Sequence, residues 1–302
     1  MVEPVQESPR RGRSCFLVGC MVLVLLAAVP VAALWAIFNV AEHSGPAKPR
    51  HVELSHPLPA GDGAVTLHLS MAEVDVVAAP ADAPLRLVAD WDDSLYELHE
   101  GFHPGGSGWT YDVDFRGRGL RVLGIHNHRL GDNRLKLYLP AGHPLSLEGK
   151  LAMGEADLAL GGLALRRVDL AVAMGEHRVS FAEPTSEPLE LLRMRGSMGE
   201  LTVLRAGNAS PRLVDVRHGM GDLTLDLSGA WRNDADVELK MGMGDSEVQL
   251  PSPAEARAEV MEAHMGLGDR TVHDHSGRNE SAPGAPHVRI RASGGMGELR
   301  IE

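Results

Sequence analysis

One short motif, methionine and glycine followed by an acidic residue, recurs along the second half of the chain. The six copies are Met153-Gly154-Glu155, Met174-Gly175-Glu176, Met198-Gly199-Glu200, Met220-Gly221-Asp222, Met243-Gly244-Asp245 and Met296-Gly297-Glu298. A widened copy ends at Asp269, and Met71-Ala72-Glu73 resembles an early copy. From Glu155 to Asp269 the successive acids are 21, 24, 22, 23 and 24 residues apart. A nearly constant period in the low twenties predicts stacked supersecondary units, each of which buries its apolar face against its neighbours.

The stacked units are predicted to consist of β-strands. Apolar and polar residues alternate with period two at 65–69, 85–88, 120–123 and 135–139, and again at 223–227 after one of the motifs. This alternation is typical of half-buried strands, and no segment beyond residue 50 has a convincing helical pattern. Residues 95–119, which contain Pro104-Gly105-Gly106-Ser107-Gly108, are expected to form a long exposed hairpin loop. We therefore predict an all-β fold, a single-stack β-solenoid at 51–302, with irregular strands at 51–145 and regular coils at 146–302.

Composition excludes several classes of function. The formal net charge of −12 disfavours nucleic acid as a partner, because phosphate binding requires clustered lysine and arginine. Both cysteines, Cys15 and Cys20, lie in the apolar N-terminal segment, so the rest of the chain has neither a disulfide nor a thiolate metal site.

The N-terminal region has the pattern of a membrane anchor. The 24 residues from Cys15 to Phe38 carry no charge, which is long enough for a helix to cross a hydrocarbon core of about 30 Å. We predict a cytoplasmic tail at 1–14, a transmembrane helix at 15–40 and a linker at 41–50. Arg10, Arg11 and Arg13 precede the apolar run, so the positive-inside rule places the N-terminus in the cytoplasm and the β-domain outside it.

Two alternatives to a retained anchor remain open at this point. Val31-Ala32-Ala33 is compatible with a signal-peptidase site, although cleavage there leaves an apolar N-terminus. Leu17-Val18-Gly19-Cys20 is similar to a bacterial lipobox, but the main apolar run follows this cysteine instead of preceding it.

Each position of the motif has a structural interpretation. The methionine is expected to point into the core, where its flexible thioether fills gaps between coils. The glycine allows a tight bend or a close approach of the backbone. The acid is expected to begin the outgoing strand with its side chain in water. The alternative is a ladder of carboxylates that binds a hard cation such as calcium. Its candidate ligands are Glu155, Glu176, Glu200, Asp222, Asp245, Asp269 and Glu298.

No group of residues in the sequence predicts a catalytic centre. His126-Asn127-His128 and His273-Asp274-His275 place two histidines on one face of a strand, but neither pair has an obvious third metal ligand nearby. Gly-x-Gly patterns such as 242–244 and 266–268 lack the strand-to-helix context of a phosphate loop. We therefore expect no cofactor and no enzymatic activity, and a metal-dependent hydrolase is only a remote alternative.

A family resemblance rests on three parts of the sequence. They are Leu137-Tyr138-Leu139-Pro140 followed by 153–158, the segment 220–229 and the segment 239–251. The chain resembles the bacterial putative-adhesin, or toast-rack, β-solenoid family from about Val65 to Glu302. The resemblance implies a cell-envelope protein and supplies no catalytic residues. We therefore expect a single-pass membrane protein that presents a binding or scaffolding module to an envelope protein or a glycan. The alternative is a regulatory subunit that pairs with an envelope-stress sensor or a transporter.

Overall fold

The protein was analysed as a computed structural model, which describes residues 47–118, 133–273 and 284–302. The chain divides into two compact units. One comprises Met1–Pro46 and Arg118–His128, of which only Arg118 is described, and the other comprises Ala47–Gly117 and Arg129–Glu302. The predicted tail, the transmembrane helix at 15–40 and most of the linker lie outside the described residues. Within the described ranges, no helix combines the length and apolarity needed to cross a membrane.

The larger unit is built almost wholly from strands, in agreement with the all-β prediction. The first eight are β1 (Pro49–His56), β2 (Asp62–Met71), β3 (Glu73–Ala79), β4 (Leu85–Asp92), β5 (Tyr96–Pro104), β6 (Gly108–Gly117), β7 (Arg134–Pro140) and β8 (Leu145–Met153). The second eight are β9 (Ala156–Ala159), β10 (Leu165–Ser180), β11 (Leu191–Leu204), β12 (Leu213–Asp226), β13 (Ala235–Met243), β14 (Ser246–Gln249), β15 (Arg257–Val272) and β16 (His287–Ile301). One helical turn, α1 (Ala206–Ala209), follows β11.

All sixteen strands belong to one hydrogen-bonded sheet. The strands that contain the motif are parallel and in register, and we call each of these strands, or each pair of strands in line, a rung. In spatial order the rungs are β2 with β3, β8 with β9, β10, β11, β12, β13 with β14, β16 and β15. The last two rungs are not stacked in chain order, because β16 lies between β13 and β15. Since β15 pairs with β16, it lies at the end of the stack of described rungs.

Two columns of aliphatic side chains form the core of the stack. In the first half of every rung except β15 the paired residues are Val65, Leu147, Val168, Leu192, Val214, Val237 and Ile290, all at most 1% exposed. In the second half they are Val76, Leu158, Val179, Val203, Leu225, Val248 and Ile301, all at most 2% exposed. Each such side chain contributes about 1.5–3 kcal/mol by leaving water, so the columns are a main source of the stack's stability.

The sequence-based prediction of a long loop at 95–119 is wrong. Residues 96–117 form the antiparallel pair β5 and β6, and only residues 105–107 connect the two strands. The reason is aromatic burial. Phe115 stacks on Tyr96 with ring centroids 5.3 Å apart and meets the edge of Trp91 at 6.5 Å, and all three side chains are buried. Most of the described aromatic residues thus lie at the β2 end of the stack.

A buried polar network closes the turns at the far side of the central rungs. The Asn208 side chain is 2% exposed, and its Nδ2 donates to the carbonyl of Phe181 at 2.7 Å. Its Oδ1 accepts from the backbone N–H of Ala230 at 3.0 Å. One amide side chain therefore satisfies backbone groups in the turns of two neighbouring rungs, as buried polar groups require.

We expect Asn208→Ala to lower the free energy of unfolding by about 2 kcal/mol, because it leaves the buried carbonyl of Phe181 without a partner and removes the acceptor of the Ala230 N–H. Urea unfolding followed by circular dichroism measures this loss. Asn233, which is half-buried and contacts the same network through Ser210, provides the comparison. Asn233→Ala should cost less than about 1 kcal/mol, since water can replace its hydrogen bonds. Equal losses in the two variants would contradict the role assigned to Asn208.

Candidate binding surface

Every rung bends at the motif, and the residue immediately before the methionine is left out of the pairing ladder. In β10 and β11, for example, Val172 pairs with Gly196 and Met174 pairs with Met198, while Ala173 and Ser197 have no partners in the ladder. The same omission recurs between β11 and β12 and between β12 and β13. The motif therefore marks a corner between two straight segments of each rung.

The glycines of the motif form a column at these corners. Gly199 has a φ of +113°, which side chains with a Cβ rarely adopt, and a Cβ built there would lie 2.1 Å from the carbonyl oxygen of Gly175. The glycines at the other corners, Gly154, Gly175, Gly221, Gly244 and Gly297, share a positive φ and the same close contact with the rung beside them. This is the tight bend and close approach that the sequence interpretation assigned to glycine.

The prediction that the methionines point into the core is wrong. Met174, Met198, Met220 and Met296 are each 44% exposed, Met243 is 43% exposed, and Met153 is half-buried. The bend displaces these side chains from the inward positions that uninterrupted alternation would give them. The corner thus presents a continuous file of thioethers on the surface.

The acids of the motif form a second file, two residues beyond the methionines. Glu176 pairs with Glu200, Glu200 with Asp222, and Asp269 with Glu298. The file lines a shallow groove, which we call the carboxylate groove. Its acidic residues are Glu73, Asp75, Glu155, Asp157, Glu176, Glu200, Asp222, Asp245, Glu247 and Glu298, and Arg178 and Arg300 also line it. Because Glu200 lines both halves of the groove, the negative charge runs continuously along the corner. Asp269 follows Glu298 on β15.

Ion pairs partly neutralise the two ends of the groove, and Arg178 is a cationic residue that lines it nearer the middle. At one end Arg134 contacts Glu73 at 2.8 Å, and at the other Arg300 contacts Glu298 at 2.8 Å. Each carboxylate raises the pKa of its arginine through a hydrogen bond. Among the described residues no cationic side chain is within ion-pair distance of Glu155, Glu176 or Asp222. These three carboxylates are therefore available to a positively charged partner.

The described residues do not include three histidine, cysteine, aspartate or glutamate side chains grouped so that they could hold a metal ion. Calcium binding by the acidic file stays a prediction. Of the histidine pairs considered from the sequence, 126–128 and 274–275 lie outside the described residues, and His273 is exposed. Gly242-Met243-Gly244 and Gly266-Leu267-Gly268 lie at strand corners and not at a strand-to-helix turn.

A pair of buried histidines, which the sequence interpretation missed, lies behind the groove. His177 is 4% exposed, and neither of its ring nitrogens has a hydrogen-bond partner among the described residues. Burial, aided by the nearby His218, lowers the pKa of His177 to about 4. Nε2 of His218 lies 2.9 Å from the carbonyl oxygen of Gly199. The sequence does contain a signal for this site, because His177 is a histidine at the position that Leu201 and Leu223 occupy in the next two rungs.

Solved structures with some likeness to this chain are described as a putative cell adhesion protein and as putative adhesins of bacteria. A putative cell adhesion protein from Clostridium sporogenes is 14% identical, covers 84% of this chain and 99% of its own, and has a TM-score of 0.43. A putative adhesin from Bacteroides fragilis is 9% identical, with coverages of 82% and 97% and a TM-score of 0.35. One from Parabacteroides distasonis is 13% identical, with coverages of 84% and 98% and a TM-score of 0.30. These descriptions agree with the family resemblance drawn from the sequence.

No protein-family model and no curated protein matches the chain. Because all three TM-scores are low, we base the functional proposals on the residues of this chain alone.

Proposed function

We propose that this chain is a non-enzymatic, adhesin-like binding module of the bacterial cell envelope. In this proposal the rungs are the coils of a β-solenoid, and residues 15–40 anchor it in the cell membrane with the β-domain outside the cytoplasm. Parallel, in-register rungs with a common corner support the solenoid. The uncharged run at 15–38, preceded by three arginines, supports the anchor and its orientation.

One observation carries the proposal of binding: the corner repeats methionine, glycine and an acidic residue at six successive rungs. Parallel strands lie about 4.8 Å apart, so the carboxylates of the groove recur at that interval. A surface with such a repeat favours an extended partner that can make the same contact several times. Each contact can be weak, because several sites on one partner act together with a high effective concentration.

The charge of the groove indicates the chemistry of that partner. The net charge of −12 and the unpaired acids Glu155, Glu176 and Asp222 attract cations and repel phosphate. We therefore propose an envelope protein that presents lysine or arginine residues along an extended segment. A glycan, bound through its hydroxyl groups, is the other outcome that the experiment below distinguishes.

Site-specific photo-crosslinking of the full-length protein in cells tests the groove. A photoreactive amino acid replaces Thr224, which lines the groove, or the exposed Lys240, which does not. We expect one protein to be captured from position 224, at least about tenfold more than from position 240. Capture of glycan-linked material from position 224 would identify the other class of partner. Capture of a single membrane sensor or transporter would favour the regulatory-subunit alternative.

A variant in which two carboxylates of the groove are replaced by amides provides the matched control for this experiment. Glu200→Gln with Asp222→Asn removes two negative charges and keeps the shape of the groove, so capture from position 224 should fall and depend less on salt. Similar capture from both positions, or capture that survives neutralisation unchanged, would overturn the proposal. Reporter fusions at the two ends of the chain test the orientation of the anchor separately.

A further inference from the structure

The exposed thioethers form a file along the corner that neither packing nor the proposed function uses. We call this the methionine file. Its members are Met71, Met153, Met174, Met198, Met220, Met243 and Met296. Each member is the register partner of the next, so seven sulfur atoms belong to neighbouring residues of successive rungs.

Packing does not account for these methionines. Five of them leave 43–44% of their surface in water, although they are large apolar residues. The nearly constant value indicates the same side-chain environment in five successive rungs. At the next rung Leu267 takes the corresponding position opposite Met296 and is 64% exposed. The fold therefore accepts leucine at this position, and filling the space does not require sulfur.

The neighbours of the file along the chain are small residues, although the sulfur of Met71, at one end of the file, accepts a hydrogen bond from the Tyr96 hydroxyl at 3.7 Å. Each methionine is followed by glycine, or by Ala72 at the first corner, and is preceded by a small residue. These preceding residues are Ser70, Ala152, Ala173, Ser197, Gly219, Gly242 and Gly295. At three rungs a shallow apolar depression, partly lined by Ala152, Ala173 and Ser197, lies beside the file. Nothing larger than a methyl or hydroxymethyl group adjoins any methionine along the chain.

The chemistry of a thioether limits what such a file can bind. Thioether sulfur is a soft, uncharged ligand that selects soft ions, Cu(I) in particular, over magnesium, calcium and manganese. A metal–sulfur bond of about 2.3 Å, the length for zinc and thiolate, is about half the strand spacing of about 4.8 Å. Two sulfurs on neighbouring rungs can therefore reach one metal ion between them, and the flexible methionine side chain allows the adjustment.

We propose that the methionine file binds Cu(I), with each ion held by the sulfurs of two or three successive rungs. The carboxylate groove lies two residues away along every rung and raises the local concentration of cations without supplying soft ligands. The groove and the file are separate sites on one corner. Failure of this proposal would leave the proposed function intact, because that function depends on different side chains.

Metal titration of the full-length protein in detergent tests the proposal, with Cys15→Ser and Cys20→Ser in the parent protein and in both variants so that no thiol competes for the soft ions. Ag(I), which is stable in air, and Cu(I), under anaerobic conditions with a chromophoric competitor, are the two probes. The file variant carries Met174→Leu, Met198→Leu and Met220→Leu, a change that keeps volume and apolarity. The control variant carries Met194→Leu, Met241→Leu and Met261→Leu, three methionines outside the file, of which Met261 is 49% exposed.

We expect the file variant to lose affinity for both probes by about tenfold or more and the control variant to match the wild type. In the wild type, Ag(I) should shift the ¹³C-methyl resonances of Met174, Met198 and Met220 and leave that of Met261 unchanged. Equal affinity of the two variants would overturn the proposal and indicate histidine or carboxylate ligands. Unmoved methyl resonances in the file would also overturn it. Circular dichroism of both variants establishes that they keep the fold.

Discussion

Replacing Gly199 by alanine is expected to lower the free energy of unfolding by about 3 kcal/mol or more. Two effects combine at this corner. A φ of +113° strains any residue with a Cβ, and the new Cβ would lie 2.1 Å from the carbonyl oxygen of Gly175. That oxygen belongs to backbone held between two hydrogen-bonded rungs, so it cannot move away without disturbing the register on both sides. Urea unfolding at neutral pH measures the loss.

Two control variants separate the strain from the clash. Gly284 has a φ of +86° but no heavy atom near its Cβ position, so Gly284→Ala isolates the conformational cost of about 1–2 kcal/mol. Gly106 lies in the β5–β6 turn, where a Cβ meets nothing within 4 Å, and Gly106→Ala should be neutral within about 0.5 kcal/mol. If Gly199→Ala costs no more than Gly284→Ala, close packing of the rungs at the corner is not what requires glycine.

The sequence predicts the repeat, the strands and the role of the glycines, but it misplaces the methionines for a physical reason. Val172 is buried at an even position and Val179 at an odd one, so the inward and outward alternation changes phase somewhere inside the motif. Period-two reasoning shows that such a break exists. It does not show whether the break comes before or after Met174. We assumed that an apolar residue faces inward, which places the break after Met174, whereas the exposed side chain shows that it comes before.

The spatial order of the rungs is also beyond what the spacing can predict. A period of about 22 residues predicts that the units stack, but it does not predict which unit follows which. The backbone groups of β13 can form the same ladder of hydrogen bonds with β15 as they form with β16. The difference lies in burial. Val288 and Ile290 of β16 are fully buried in the interior, whereas β15 carries the exposed Met261 and Leu267. The more apolar strand takes the inner position, as the hydrophobic effect favours.

The hairpin at 96–117 illustrates the same limit. Its glycines and Pro104 favour a loop, whereas the contacts of Phe115 with Tyr96 and Trp91 hold the flanking residues in paired, partly buried strands. Local propensity is a weak guide where a few aromatic residues decide the packing. The carboxylate file, in contrast, follows directly from equal spacing, because parallel strands in register place equivalent residues side by side.

The stability of the protein is expected to fall as the pH is lowered from about 6.5 to about 4, and His177 accounts for a defined part of this loss. Its pKa is about 4 in the folded protein and about 6.5 in an unfolded chain. Between these values the unfolded state binds a proton that the folded state does not, so acid favours unfolding. Above about pH 6.5 His177 is neutral in both states and does not make the free energy of unfolding depend on pH. Below that pH the free energy of unfolding falls, until about pH 4, where the folded protein also binds the proton. The difference in pKa corresponds to about 3 kcal/mol.

His177→Leu isolates this contribution, because Leu201 and Leu223 already occupy the equivalent position in the next rungs. At pH 7 the variant should be more stable than the wild type by about 1–2 kcal/mol, since two buried nitrogens without partners are removed. Its advantage should widen by about 3 kcal/mol at pH 4, because the carboxylates titrate alike in both proteins and cancel in the comparison. His68→Leu, at an exposed position of β2, provides the matched control. An advantage of His177→Leu that is the same at pH 7 and pH 4 would show that His177 does not stay neutral in the folded protein.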